Sequence, residues 1–304
     1  MLKSAADRGP AATRAESACI THHGELLQGA VRSEGRIMPC LVSLPRRDRI
    51  ATCRAELFES DRLEVVPPWK RKARRAARIL LERCGRPHAT GRLVLSSQVE
   101  AGLGLGSSTA DVVAAIRACA AALGVSLSAE EVAAIAAEAE LAVDPVMFER
   151  RALLFAQRSG RVLEDWGDWY PAFAVFSCRL APPEVRIDTL SLPQIGADAE
   201  LRRFAEILDI ARDGFRRRDP AAIAGAATLS AALNQSRVAL VRFEALRRLA
   251  DECGALGVQV AHSGVVGGAL LDARDPCLED KVSALATGWR RLGHGTFDLF
   301  STAA

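Results

Sequence analysis

The chain predicts an α+β fold of two packed layers, and three observations carry that expectation. Short apolar runs broken by turn residues fill residues 16–67, helical spacing dominates 69–84 and 199–253, and a glycine-rich loop at 102–106 joins a strand-like run to a strongly helical one. No internal repeat or low-complexity tract suggests another architecture. With 304 residues, 49% of them hydrophobic, the chain can build a large core or two ordinary ones.

Taken in order, residues 1–15 read as a soluble leader without an apolar signal region. Several short strands follow up to Pro67. Trp69 to Cys84 reads as an amphipathic helix, with Lys70, Lys72, Arg74, Arg75 and Arg78 on a solvated face and Trp69 in the core. Gly91–Val99 is the strand that feeds the glycine loop, and Ser108–Leu123 is a buried helix stopped by Gly124. Ser126 and Ser128 with Glu130 and Glu131 start the next helix, which runs to about Val143 before Asp144-Pro145 breaks it. A strand at 173–178, helices at about 199–217, 220–233 and 240–253, strands at 258–262 and 269–272 and a last helix at 280–291 complete the expectation.

A net charge of +3 with nearly balanced acids and bases excludes a strongly basic nucleic-acid surface. No apolar stretch reaches the ~18 residues of a membrane span. The eight cysteines form no C-x-x-C pattern, which argues against a zinc site and for a reduced, cytoplasmic setting.

The loop carries the chemistry. Gly102, Gly104 and Gly106 allow the backbone to approach an anion, and Ser107, Ser108 and Thr109 open a helix whose first N–H groups and dipole favour negative charge. Lys3, Lys70, Lys72 and Lys281 are the chain's lysines and none lies in a glycine loop, so Walker A is excluded; the G-x-G-x-G spacing is not the dinucleotide fingerprint either. Phosphate is therefore expected to rest on main-chain amides, hydroxyls, a metal ion and arginine, with no lysine. A glycine turn capped by Ser107 is the plainer alternative.

Three segments resemble the GHMP kinases, the superfamily named for galactokinase, homoserine, mevalonate and phosphomevalonate kinases. They are Gly104-Leu-Gly-Ser-Ser-Thr-Ala110, His23-Gly-Glu-Leu-Leu-Gln-Gly29 and the glycine turn of Gly257 to Asp272. With Leu41–Pro45, Asp144–Phe148, Leu233–Gln235 and Ala261–Gly264, they are most similar to the L-threonine kinases of cobalamin biosynthesis. Glu100 and Ile20 stand where the family usually has proline, and Glu25 stands near where some members carry a lysine.

The resemblance implies the GHMP kinase fold: a ribosomal-S5-like N-terminal domain over 16–155, a ferredoxin-like C-terminal domain over 156–304, and the active site between them. It implies ATP and Mg²⁺ as cofactors, a hydroxy amino acid such as L-threonine as substrate, and allows a homodimer. Homoserine, serine or a natural-product alcohol is the alternative acceptor, and a non-catalytic nucleotide- or metabolite-binding regulator is the alternative class.

By that likeness Asp144 and Ser108 are the candidate catalytic residues. Gly102, Leu103, Gly104, Leu105, Gly106, Ser107, Ser108 and Thr109 would cradle the nucleotide, and Ser108 with Glu140 would hold the metal, Glu138 competing for that role. Glu25, Gln28, His23, His262, Ser263 and Gly264 would bind substrate, with Gly24 and Gly29 supplying the turn. His22 and His23 are adjacent, so on a strand they face opposite sides and at most one lines the site. A turn-forming role for Asp144 and a core role for His262 are the plainer readings of those residues.

Overall fold

The computed structural model describes residues 13–58, 62–182, 184–185, 196–238, 240, 242–262 and 265–303. Strands β1 (Thr13–Ser33) and β2 (Arg36–Phe58) form one long antiparallel hairpin in place of the several short strands expected. Glu34 and Gly35 close it with φ of 51° and 72°, the positive values a two-residue hairpin turn needs to match strand twist. The apparent interruptions are bulges: the register shifts at Ile20/Thr21, His22/Glu25 and Glu25/Leu27 without breaking the ladder. β1 begins at Thr13, so part of the expected leader is strand, and residues 1–12 lie outside the described residues.

β3 (Leu63–Val66) runs parallel to β4 (Thr90–Ser97), and α1 (Arg71–Arg83) makes the crossover such a pair requires. Trp69 precedes α1 and is 74% exposed, contrary to the core position expected. The glycine loop then leads into α2 (Ser107–Leu123). Its alanine-rich sides are small enough for close packing, and it is buried almost all round by α1, by α3 (Ala129–Glu140) and by the sheet. Gly124 ends α2 in the left-handed region, and a reciprocal Ser128–Glu131 capping box starts α3, a motif worth about 1 kcal/mol.

Leu141 terminates α3, and Asp144 caps a short 3₁₀ turn at Pro145–Phe148. The chain continues through β5 (Leu153–Ala156), β6 (Arg161–Asp165), β7 (Phe173–Arg179), α4 (Asp198–Arg217), α5 (Pro220–Asn234), α6 (Phe243–Glu252), β8 (Gly257–Val260), β9 (Val266–Asp272), α7 (Leu278–Arg291) and β10 (Phe297–Ser301). β5, β6 and β10 were not legible as strands. The boundary expected at 155/156 falls inside β5.

The main sheet has the order β10-β7-β9-β8-β1-β2-β4-β3, with β5 on β2 and β6 on β5. β1 is the hinge of this arrangement, pairing with β2 along its length and with β8 at a single point, Glu25 opposite Val260. One apolar core lies under α1–α3, a second under α4 and α5, and a third under α6 and α7. Gly29, expected in a turn, lies in β1; a Cβ there would fall 2.2 Å from Phe204, so its role is to let α4 pack on the strand.

Candidate functional site

Where β1, the glycine loop, the end of α3 and the segment after β8 meet, a cleft of about 180 Å³ opens. Gly102, Gly104, Leu105, Gly106, Ser107, Ser108 and Thr109 form one wall. Glu140 and Asp144 form another, with His22, Glu25 and His262 between them. Gly102, Gly104 and Gly106 have φ of 83°, 74° and 70°, values glycine adopts without strain. Gly106 is the N-cap of α2 and no side chain caps the helix, so Ser107 is not the cap and the first amides of α2 face the cleft uncovered by a side chain. Leu103 does not line the cleft; it packs with Leu105 on Ala261, Val265 and Val266.

Ser108 Oγ donates to Glu140 Oε1 at 2.5 Å, and Lys72 Nζ lies 3.3 Å from the same oxygen. Burial raises the Glu140 pKa, opposed by Lys72 and Ser108, and its Oε2 is buried without a hydrogen-bond partner among the described residues. Two hard oxygen donors and an unsatisfied carboxylate oxygen suit a magnesium-like cation. Glu138 instead pairs with Arg83 on the surface. Lys72 corrects the lysine-free expectation: helix α1 leans its N-terminal turn over the loop, so Lys72 lines the cleft and Lys70 pairs with Asp111 at 2.5 Å. A second hollow, lined by Trp69, Lys70, Ser97, Val99, Ala101 and Ser108, adjoins the loop on that side.

The bulge in β1 decides which histidine enters the site. Residues three apart on a regular strand face opposite ways. Gly24, at φ 67°, inserts an extra residue, and His22 and Glu25 turn to the same side. His22 Nε2 lies 2.8 Å from Asp144 Oδ2, close enough for an ion pair although not aligned as a hydrogen bond, and Nδ1 lies 3.7 Å from Glu25 Oε1. Burial opposes charge on His22, but Asp144 and Glu25 prevail and carry its pKa to about 9. Burial likewise raises Glu25, to about 7 against the pull of His22. Asp144 stays below the usual carboxylate range because the His22 charge outweighs its burial. One ligand-capable atom each from His22, Glu25 and Asp144 lie within 4.8 Å of one another, and together they form a charge cluster at the cleft.

His23, expected at the substrate, faces away: it contacts Ser177 Oγ at 2.6 Å and Gln259 Nε2 at 2.5 Å, and burial lowers its pKa to about 3. Gln28 stands one layer back and accepts from His262 Nδ1 at 3.1 Å, placing His262, neutral through burial, on the cleft wall. Ser263 and Gly264 lie outside the described residues. Asn234 and Gln235 end α5, where Gln235 bonds Ala231 O and Leu240 N. Thr109 Oγ1 donates to Asp144 Oδ2 at 3.3 Å, tying the phosphate-loop helix to the carboxylate.

Sequence reasoning missed His22, Lys72, Gln157 and Arg158, all of which line the cleft. Only His22 left a signal, the glycine two residues on that permits a bulge. Arg158 sits in the β5–β6 turn, half-buried, with its Nε unpartnered among the described residues.

Among known proteins, the model of the GHMP kinases N terminal domain matches residues 71–148. L-threonine kinase of Salmonella typhimurium is 25% identical over 274 residues, which cover 84% of this chain and 82% of that protein. Homoserine kinase from Cytophaga hutchinsonii superposes with a TM-score of 0.68 at 17% identity, covering 99% of this chain and 96% of that one. Mevalonate kinase from methicillin-resistant Staphylococcus aureus gives a TM-score of 0.65 at 15% identity, covering 96% and 100%. With a glycine loop, an uncapped helix start and a facing carboxylate in one cleft, the chain has the GHMP kinase fold, and its residues 71–148 match the GHMP kinases N terminal domain.

Proposed function

We propose that this protein is an ATP-dependent small-molecule kinase that phosphorylates the side-chain hydroxyl of L-threonine, giving O-phospho-L-threonine and ADP. One observation carries the reading: Asp144 shares a single cleft with the loop amides and Ser108, and is joined to that helix through Thr109. Phosphoryl transfer needs little covalent chemistry from a protein beyond in-line positioning and charge neutralisation. The main-chain amides around Gly104–Thr109 hold the nucleotide phosphates, helped by Lys72, and the nucleotide base rests in the hollow by Trp69 and Val99. Ser108 and Glu140 hold Mg²⁺, which when bound neutralises charge on the phosphates.

Asp144 orients the acceptor hydroxyl and takes its proton as the oxygen bonds to the γ-phosphorus and the bond from that phosphorus to the bridging oxygen of ADP breaks. The amino acid's ammonium pairs with Glu25, whose Oε1 is buried and without a hydrogen-bond partner among the described residues, and its carboxylate with Arg158. The likeness to L-threonine kinase supports threonine as acceptor. Homoserine is the second reading, on the likeness to a homoserine kinase; the two acceptors are isomers that carry the reacting hydroxyl on Cβ or on Cγ. By the same likeness, its product feeds the side chain of cobalamin in the cytoplasm.

The test is ADP release with Mg-ATP and a panel of hydroxy amino acids. Threonine-dependent turnover, lost in Asp144→Asn while nucleotide binding persists, is the expected result. A wild-type protein that binds ATP yet phosphorylates no acceptor overturns it in favour of a binding role.

A further inference from the structure

Both nitrogens of the His22 ring face acceptors. Nδ1 lies 3.3 Å from the Gly24 carbonyl oxygen and Nε2 lies 2.8 Å from an Asp144 carboxylate oxygen. A carbonyl can only accept, so Nδ1 carries a proton; Nε2 makes no aligned hydrogen bond, but a carboxylate oxygen 2.8 Å away favours a second proton there by charge, which makes the ring an imidazolium. The ring is also fixed in place. Its side chain is 3% exposed, and the glycine loop closes directly on it, so that a Cβ at Gly106 would lie 2.1 Å from Cδ2 and 2.5 Å from Nε2.

The charged groups around this ring come from every side of the cleft. Glu25 lies on the same strand with His23 on its other face, His262 follows β8, Arg158 comes from the β5–β6 turn, and Glu140 lies behind Asp144 at the end of α3. Lys72 of α1 also lines the cleft; among the described residues two carboxylates pair with the ring and no cation contact to it is found.

We propose that His22 is a positioning residue: a charged imidazolium, roofed by Gly106, that holds the Asp144 carboxylate aimed at the acceptor hydroxyl. The proposal rests on the kinase reading above. It gives the site a buried cation next to its carboxylate base, set on β1 by the bulge at Gly24. Its consequence is a pH profile with a defined sign. The imidazolium persists below about 9 and is lost above it; Asp144 stays ionised there, so kcat falls on the alkaline side because the carboxylate loses the charge that aims it.

Two measurements test it. In wild-type protein labelled with ¹⁵N-histidine, His22 should show both ring nitrogens protonated at pH 7.5, a readout that needs no turnover; a neutral ring overturns the proposal. In His22→Gly, kcat for the acceptor should fall on the order of 10²-fold with KM for ATP within about twofold, and the alkaline limb should vanish. Added imidazole should restore activity, whereas pyrazole, a ring of the same size that stays neutral, should not. Equal rescue by pyrazole would reduce His22 to a packing role and sink the idea, as would a His22→Gln variant with wild-type kcat and an intact alkaline limb. Should wild-type protein phosphorylate nothing while His22 is doubly protonated, the kinase reading fails and the charge assignment stands.

Discussion

Gly106→Ala is the perturbation whose cost follows most directly from the coordinates. Gly106 has φ of 70°, and placing an L-residue in the left-handed region costs about 1–2 kcal/mol. The new methyl would also lie 2.1 Å from a ring that is buried and held from both ends, an overpacking conflict of about 1–3 kcal/mol. The two together give roughly 2–5 kcal/mol, a large part of a typical domain's 5–15 kcal/mol. Gly124→Ala is the internal control: its φ is also 70°, but a Cβ there meets nothing within 4 Å. Urea denaturation of both variants should therefore place Gly106→Ala below Gly124→Ala by about 1–3 kcal/mol, with m unchanged. The same methyl, if the ring yields to it, pushes His22 off Asp144, so residual activity should fall in Gly106→Ala and hold in Gly124→Ala. Equal stability of the two variants, within about 0.5 kcal/mol, would mean that the loop does not close on His22 and that the site geometry described above is wrong.

Two further expectations concern the ligands. Arg158→Gln should raise KM for threonine on the order of tenfold or more with little change in KM for ATP, and should leave turnover of threoninol, which lacks the carboxylate, unaffected; a rise confined to ATP would assign Arg158 to the phosphates instead. Glu140→Gln should raise the Mg²⁺ concentration giving half-maximal activity severalfold, while chemical stability without metal stays the same or improves, because a buried carboxylate with one unpartnered oxygen becomes neutral. An unchanged Mg²⁺ requirement would remove Glu140 from the metal site.

Of the residues that the sequence singled out and that line the cleft, the loop residues are the ones tied to local chain geometry. Gly102, Gly104, Gly106, Ser107, Ser108 and Thr109 act through a strand–loop–helix unit whose glycines and helix start are read from neighbours in the chain, and all of them line the cleft. Asp144 and Glu140, chosen by the likeness to the GHMP kinases beside a helix broken by Pro145, line it too. Helices α2 to α7 were anticipated within a few residues, since apolar spacing, caps and glycine stops are local signals.

What folding alone decided is long-range. Strand parity allowed at most one of His22 and His23 into the site, but the choice turned on a bulge at Gly24 whose presence depends on how β1 registers with β2 and β8. Lys72 looked like one of many solvated cations until α1 was laid over the loop, and Trp69, an apolar residue by composition, was left at the surface beside it. The strand at Phe297–Ser301 pairs with β7, more than a hundred residues back, and the β5–β6 hairpin whose turn carries Arg158 is tied to the sheet by Phe155 opposite Leu41. Sequence determines what each segment can do by itself, because propensity, caps and glycine freedom act between neighbours; which side chains share a charge cluster is set by register and packing between segments more than a hundred residues apart, as with His22 and Asp144.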